Sequence, residues 1–442
     1  MAVRRLRTLL GALILLIGGL WLYSSRQEEP MLPHTLLETP IQYLKNGGSD
    51  QNPKGAGEAN SDPRYTAHLD LLSQPVPDQH SPVGSQPEVK PSPPSSGNAP
   101  ELPPSLEGQA QNLDSNTKTS EPFFAFQKDL DLELPVATFQ SFSNHRPHNH
   151  DYGGPKKYAY ATFMATRNPS TKDPYYLAIH SVLYRILYSP RSRTEQYPFI
   201  VYVADFVTEE QRTLLRGAGA IVRELEPLPW SCDRPGGQER WKDLFAKLNM
   251  WKETEFERIL FLDADAFPVD HMDPMFDLTP LQDCRKEKLQ EDDYLEDASP
   301  VCEPYVFGGV PQDITNPADY NINVGSMVFA PSERMHQRLL QNYLKTDKYN
   351  CSMAEQAFLN WQFQPDGAFP PTLLTREWGG FFPQPDEEGK LKVVHEKIWV
   401  VDQGISDWLK LDWLTQWQEM MAFYNGDEFK QAREKDGADR VV

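Results

Sequence analysis

Two carboxylates leaving a buried strand together can hold one hard cation, and residues 258–265 have that form. Arg258-Ile259-Leu260-Phe261-Leu262 is apolar enough to be a central strand, and it runs directly into Asp263-Ala264-Asp265. Side chains at i and i+2 share a face of extended chain, so both carboxylates can turn toward one point. Such a cation would keep open coordination positions for phosphate oxygens. The spacing alone is not the signal, because Asp129-Leu130-Asp131 repeats it in a polar stretch with no strand behind it. Position at the end of an apolar strand sets the pair at 263 and 265 apart. Other chemistries are excluded more simply. Cys232, Cys284, Cys302 and Cys351 lack CxxC spacing, which argues against a structural zinc site. A formal net charge of −20, with no basic stripe, argues against nucleic acid as a partner.

The elements that must position those aspartates can be read outward from the strand. Residues 158–166 read as a buried strand, 174–188 as a helix, 197–204 as a second strand and 220–222 as a third. Thr208 with Gln211 three residues on is a capping box, and the helix it opens closes near Gly217 and Gly219. Residues 240–251 read as a helix leading into the strand at 258–262. Strands alternating with helices at these lengths indicate an α/β domain with a mostly parallel sheet. Ligands in such sheets sit at the carboxyl ends of the strands, where Asp263 and Asp265 lie. Trp408, Trp413, Trp417, Met420 and Tyr424 follow helical spacing near the C-terminus and read as core.

The chain ahead of this domain has a different character. Arg4, Arg5 and Arg7 precede an uncharged apolar stretch at 8–25, which ends in Trp21 and Tyr23. A bilayer span takes roughly 17–25 residues, so this stretch suits a thin membrane. The flanking charges place residues 1–7 in the cytosol. A cleaved signal peptide is the competing reading, although no small-x-small cleavage site comes after the apolar core. Residues 26–151, rich in Pro, Ser, Gln, Asn and Gly, read as a disordered stem, with one weakly apolar patch at 123–142 able to dock on the α/β domain. The catalytic domain is expected at 152–442. The arrangement is that of a single-pass type II protein of the Golgi membrane, or the endoplasmic reticulum, with its catalytic domain in the lumen.

Several pieces in order resemble glycosyltransferase family eight, the glycogenin-like enzymes, in a fungal-type membrane-anchored form. They are Lys247-Leu248 with Trp251, the strand and aspartates at 259–265, Asp273-Pro274-Met275-Phe276, Asn323-Val324-Gly325 with Pro331-Ser332 after it, Glu355-Gln356 with Leu359-Asn360, and Val393-Val394-His395. The resemblance covers about residues 158–399. It implies a GT-A nucleotide-diphospho-sugar transferase fold, a UDP-sugar donor, manganese or magnesium, and transfer with retention of configuration. On that basis Asp263, Asp265 and His395 are the expected metal ligands. Lys247 and Lys397 are expected at the donor phosphates or sugar, Thr162 and Tyr175 near the uridine, and Asn323, Glu355 and Gln356 on the sugar and acceptor side. Read without the family, Lys247 is a solvated helix charge, Tyr175 a packed aromatic and His395 a satisfied core histidine. The sequence departs from the family where Glu355 replaces the usual aspartate and where the late glycine-lysine-proline-tryptophan element is reduced to His395-Glu396-Lys397-Ile398-Trp399.

The expected activity is transfer of a hexose or N-acetylhexosamine, with glucose or N-acetylglucosamine foremost, to a glycan or glycoprotein acceptor. Two other classes stay open: a lumenal binding protein of the same fold without turnover, and a self-glucosylating primer. An acidic insertion at 281–311 is expected to form a lid or an acceptor-facing loop, its ends joined by Cys284 and Cys302 or left as free thiols. Asn350-Cys351-Ser352 is a sequon for N-glycosylation.

Overall fold

The computed structural model describes residues 125–151, 156–230, 232, 241–313, 316, 320–400 and 407–438. The expected cytosolic tail, the span at 8–25 and the stem up to residue 124 lie outside the described residues. Among the described residues no helix is long and apolar enough to cross a membrane.

The central sheet is built from β1 (Tyr158–Met164), β2 (Phe199–Val203), β3 (Ile221–Glu224) and β4 (Arg258–Leu262). A small second sheet takes β5 (Ala266–Pro268), and the central one continues with β6 (Phe307–Pro311), β7 (Ile322–Phe329) and β8 (Thr372–Leu373). β9 (Gly380–Phe381) and β10 (Val393–His395) complete the second sheet. The seven-stranded sheet has the order β3-β2-β1-β4-β7-β6-β8, and the three-stranded one β5-β10-β9. Neighbours from β3 to β4 run parallel, β7 is antiparallel to both β4 and β6, and β8 is parallel to β6. The sheet is therefore mostly parallel, as the alternating pattern required. β4 sits at its centre, with Ile259, Leu260, Phe261 and Leu262 fully buried.

Helices cover the sheet. Among the described residues the α-helices of six residues or more are α1 (Val136–Ser141), α2 (Pro174–Leu187), α3 (Glu209–Ala218), α4 (Glu333–Asn342), α5 (Ala354–Gln362), α6 (Asp407–Asn425) and α7 (Asp427–Asp436). α2 starts where Pro174 occupies the first turn and the Asp173 carboxylate accepts from the Tyr176 N–H at 2.9 Å. α3 carries the expected capping box and stops at Gly219, whose φ of 111° only glycine adopts without strain. Trp413, Trp417, Met420 and Tyr424 of α6 are buried, as their spacing implied.

Three expectations change. The folded body starts well before residue 152. Phe139 in α1 is fully buried, and its carbonyl lies so close to Gly217 of α3 that a Cβ there would come within 1.9 Å. The Leu130 N–H donates to the Lys172 carbonyl at 3.0 Å, and Asn168 Nδ2 to Asp129 at 2.7 Å. Residues 125–150 are thus a strap across the domain, anchored by the apolar patch that interrupts the polar composition. Residues Leu244–Lys252 form a 3₁₀ rather than an α-helix, with every position from Phe245 to Trp251 buried. A segment enclosed on all sides has no polar face to favour an amphipathic α-helix.

The third change concerns the acidic insertion. Cys284 and Cys302 are bridged, as are Cys232 and Cys351. The bridged loop, however, packs against α4 and the chain after α5. Asp293 pairs with the buried Arg338 at 2.7 Å, the Arg285 N–H donates to the Ala368 carbonyl at 2.9 Å, and Arg334 donates to the Pro300 carbonyl at 2.8 Å. An ion pair with both partners about 5% exposed fixes the loop there. It lines no part of the cavity at the carboxyl ends of β1 and β4 and is neither a lid nor an acceptor-facing wall of it.

Candidate active site

The cavity opens at the carboxyl ends of β1 and β4. Its volume is about 990 Å³, ample for a nucleotide sugar. Asp263, Ala264 and Asp265 leave β4 in a turn held on both sides. The Asp263 N–H donates to the Gly325 carbonyl of β7 at 2.8 Å, and the Ala266 N–H to the Asp263 carbonyl at 2.9 Å. The small sheet then delivers the histidine. β10 runs antiparallel to β5 with His395 opposite Ala266, one residue beyond Asp265, and the Glu396 N–H donates back to the Asp265 carbonyl at 3.0 Å.

Asp263, Asp265 and His395 present ligand atoms that all lie within 4.8 Å of one another. His395 Nε2 is 3.2 Å from Asp265 and 3.9 Å from Asp263. His395 Nδ1 is buried without a hydrogen-bond partner, an arrangement that normally costs stability. Beside it Gly325 leaves a gap. A Cβ on Gly325 would sit 2.9 Å from His395 Nδ1, 2.2 Å from Cε1 and 2.7 Å from an Asp263 oxygen. Two carboxylates and an imidazole around a space that only a missing side chain keeps open fit a divalent cation such as manganese or magnesium.

Two lysines flank the cluster. Lys247, buried in the 3₁₀ segment, donates at 2.8 Å both to Asp263 and to Glu355 of α5. Burial works against its charge, but the two carboxylates prevail and raise its pKa. Burial raises the Glu355 carboxyl in turn, against the pull of Lys247. Lys397 donates to Asp265 at 3.0 Å. Burial opposes ionisation of Asp265 as well, yet Lys397 and then His395 hold its carboxyl well below the usual range. His395 is itself raised, because Asp265 and Asp263 outweigh the desolvation of its ring. The result is alternating charge in which each carboxylate has a cation beside it.

The other expected residues divide. Gln356 lines the cavity; its side chain accepts from the Val324 N–H at 3.2 Å and donates to Gln312 at 2.9 Å. Tyr175 lines it too, edge-on to Trp399 with ring centroids 5.3 Å apart. Asn323 does not line it. Its side-chain oxygen accepts from the Gly325 N–H at 3.0 Å, so it shapes the strand beneath the aspartates. Thr162 does not reach the cavity either, being fully buried in the middle of β1, two residues short of the strand's carboxyl end. Thr166, Arg167 and Asn168, just past that end, line the cavity where Thr162 was expected. Trp241, Lys242 and Gln127 also line it without having been singled out. For Gln127 the available signal was the apolar patch at 123–142; for the others no local pattern pointed to the site.

No family model matches the chain. An uncharacterized protein of Schizosaccharomyces pombe is 28% identical over 312 residues, covering 61% of this chain and 81% of that protein. Galactinol synthase 4 of Arabidopsis thaliana is 30% identical over 258 residues, covering 54% of this chain and 72% of that protein. A galactosyltransferase crystallised with donor and acceptor sugar analogs matches at 16% identity and a TM-score of 0.39, over 62% of this chain and 99% of that one.

Proposed function

We propose that this chain, which belongs to glycosyltransferase family eight together with the galactinol synthases, is a metal-dependent, retaining transferase that takes a hexose or N-acetylhexosamine from a UDP-sugar. The acceptor is a glycan or glycoprotein in the lumen of the Golgi, and the N-terminal span holds the enzyme at that membrane. The fold is the GT-A arrangement.

One observation carries the reading: the Asp263–Asp265–His395 cluster, flanked by Lys247 and Lys397, at the strand ends of a cavity of nucleotide-sugar size. A divalent ion bound there would neutralise charge on the departing diphosphate, so that departure needs no proton. The protein's own groups do the rest. Lys397 and His395 hold the Asp265 carboxyl well below the usual range, which suits it to hold a cation at neutral pH, and Asp263 stands beside it with Lys247 at 2.8 Å. The two ammonium groups supply positive charge where phosphate oxygens must be received, and they do so without reorganising during the reaction. Glu355 is fixed by Lys247, and Gln356 by the β7 backbone, so the wall meeting the transferred sugar is set before substrate arrives.

The experiment is a panel of UDP-sugars, including UDP-glucose, UDP-N-acetylglucosamine and UDP-galactose, assayed for hydrolysis with and without manganese. UDP-galactose belongs in the panel because of the relatives named galactinol synthase. Metal-dependent turnover of one donor supports the reading. Tight UDP binding with no turnover of any donor points instead to a binding protein of the same fold.

A further inference from the structure

The strap ahead of the catalytic domain reaches the donor cavity at its first described residues, Ala125–Gln127. Gln127 lines the cavity. Phe126, half-buried, sits beneath Lys397, whose ammonium lies 5.3 Å from the ring centroid. The carbonyl of Phe126 accepts from the indole N–H of Trp399 at 3.0 Å. Its ring is edge-on to that of Tyr175, with centroids 6.4 Å apart, and Tyr175 in turn packs edge-on to Trp399. One residue from far upstream thus touches Lys397, Trp399 and Tyr175.

The rest of the strap explains how it stays there. Asp131 and Glu133 pair with Lys172 at 3.6 and 3.3 Å, Asp129 is held by Asn168, and Phe139 is locked against α3. Asn168 itself lines the cavity, so the strap is tied to the cavity wall at two points.

We infer that Phe126 is a positioning residue of the donor site: its ring holds the Lys397 ammonium toward the phosphate-receiving side of the cavity, and the functional catalytic unit therefore includes the end of the stem. The inference rests on the reading of the cavity as a nucleotide-sugar site. Its physical basis is that Asp265 divides its carboxylate: Oδ2 accepts from Lys397 at 3.0 Å while Oδ1 faces His395 at 3.2 Å in the candidate metal cluster, so Asp265 offers Lys397 one oxygen and the ammonium takes a second partner elsewhere. An aromatic face is a neutral second partner that attracts the ammonium without competing for a cation. With its backbone held by Trp399 and its ring edge-on to Tyr175, Phe126 is fixed in place, so the long lysine side chain is ordered before donor binds.

The test measures binding of UDP with manganese to the full-length chain by calorimetry, with donor KM and kcat once a donor is known. Phe126→Leu keeps apolar bulk and removes the π face; Phe126→Tyr restores it. The expected result is that Phe126→Leu weakens UDP–manganese binding by about three- to thirtyfold, the range of a partly desolvated cation–π contact. Its thermal midpoint stays at the wild-type value, and Phe126→Tyr recovers the affinity. In a Lys397→Met background Phe126→Leu has no further effect, because the two residues act through one contact. A wild-type chain that binds UDP–manganese, with Phe126→Leu binding equally well, overturns the inference alone. Equal losses from Phe126→Leu with and without Lys397 also overturn it, since the residue would then act through packing. A wild-type chain that binds no UDP–manganese overturns the functional reading and this inference with it.

Discussion

Gly325→Ala is a one-carbon change that tests the metal centre without replacing a ligand. Gly325 lies in β7 and is absent from the residues with positive φ, so alanine can adopt its backbone conformation. Alanine would on that account even stabilise the fold slightly, by roughly 0.4–1 kcal/mol, through the unfolded state. The new methyl, however, would stand 2.2 Å from His395 Cε1 and 2.7 Å from an Asp263 oxygen. Ordinary contact begins near 3.4 Å, so the imidazole must retreat by roughly 1.2 Å, whereas metal–ligand distances tolerate only about 0.2 Å. Groups that merely orient a metal ligand cost about 10–100-fold in affinity when changed. Expelling a ligand belongs at the upper end, about 100-fold or 2.7 kcal/mol. The assay is manganese binding by calorimetry or electron paramagnetic resonance, alongside thermal unfolding of the same sample. The expected outcome is a folded protein with about 100-fold weaker manganese binding. Adding Gly325→Ala to His395→Ala should then cost less than it does in wild type, since the ring, the closer of the two clashes, is gone and only the Asp263 contact remains. Wild-type manganese affinity in Gly325→Ala would refute the placement of the cation between Asp263 and His395.

Lys247→Met removes the cation shared by Asp263 and Glu355 and should destabilise the chain by about 3–5 kcal/mol in denaturant titrations, with Glu355→Gln added to it restoring much of the loss; an unchanged midpoint would contradict the alternating charge around the cavity. His180, fully buried and stacked on Phe139, has both ring nitrogens unpartnered and a pKa pushed down by burial to about 3 from 6.5. Between those values only the unfolded chain takes up the proton, so acidification drains stability by about 1.4 kcal/mol per pH unit. His180→Phe should accordingly gain on wild type by that slope between about pH 6 and pH 4 in chemical denaturation, and a pH-independent difference would overturn the argument. Replacing both Cys284 and Cys302 with serine should cost about 3 kcal/mol by the loop-entropy account and leave donor KM unchanged, because the bridged loop packs on α4; a raised KM with unaltered stability would return the loop to the site.

How far the fold could be read in advance depended on whether the deciding pattern was local. β4 and its aspartates, the Thr208 capping box and the buried Trp413 and Trp417 of α6 each arise from spacing within one element, and the structure places them accordingly. Thr162 lies off the cavity wall for a physical reason. β1 is buried on both faces, so its sequence has no alternation to tell which residue reaches the carboxyl-end cavity. The 281–311 insertion was misplaced because an acidic loop carries no local sign of where it will dock; Arg338 and Arg334 of α4, distant in sequence, hold it there. Phe126 lies in the apolar patch at 123–142 beside Phe123 and Phe124, so the sequence marked the patch, but no periodicity told which ring would meet the site. Asn323 shows the limit of a motif, which gave the residue but not the direction of its side chain, and hydrogen bonding turned that toward Gly325.

The most direct test of the account is hydrolysis of the preferred UDP-sugar by wild type and by Asp265→Asn, each with manganese and with a chelator. Asp265 joins the candidate cation, His395 and Lys397, so the charge of this one residue carries the arrangement. The account predicts manganese-dependent turnover by wild type, none with chelator, and loss in Asp265→Asn that added manganese does not repair while the thermal midpoint shows a folded protein. Turnover by wild type that is indifferent to the chelator, or by Asp265→Asn at the wild-type rate, would contradict it.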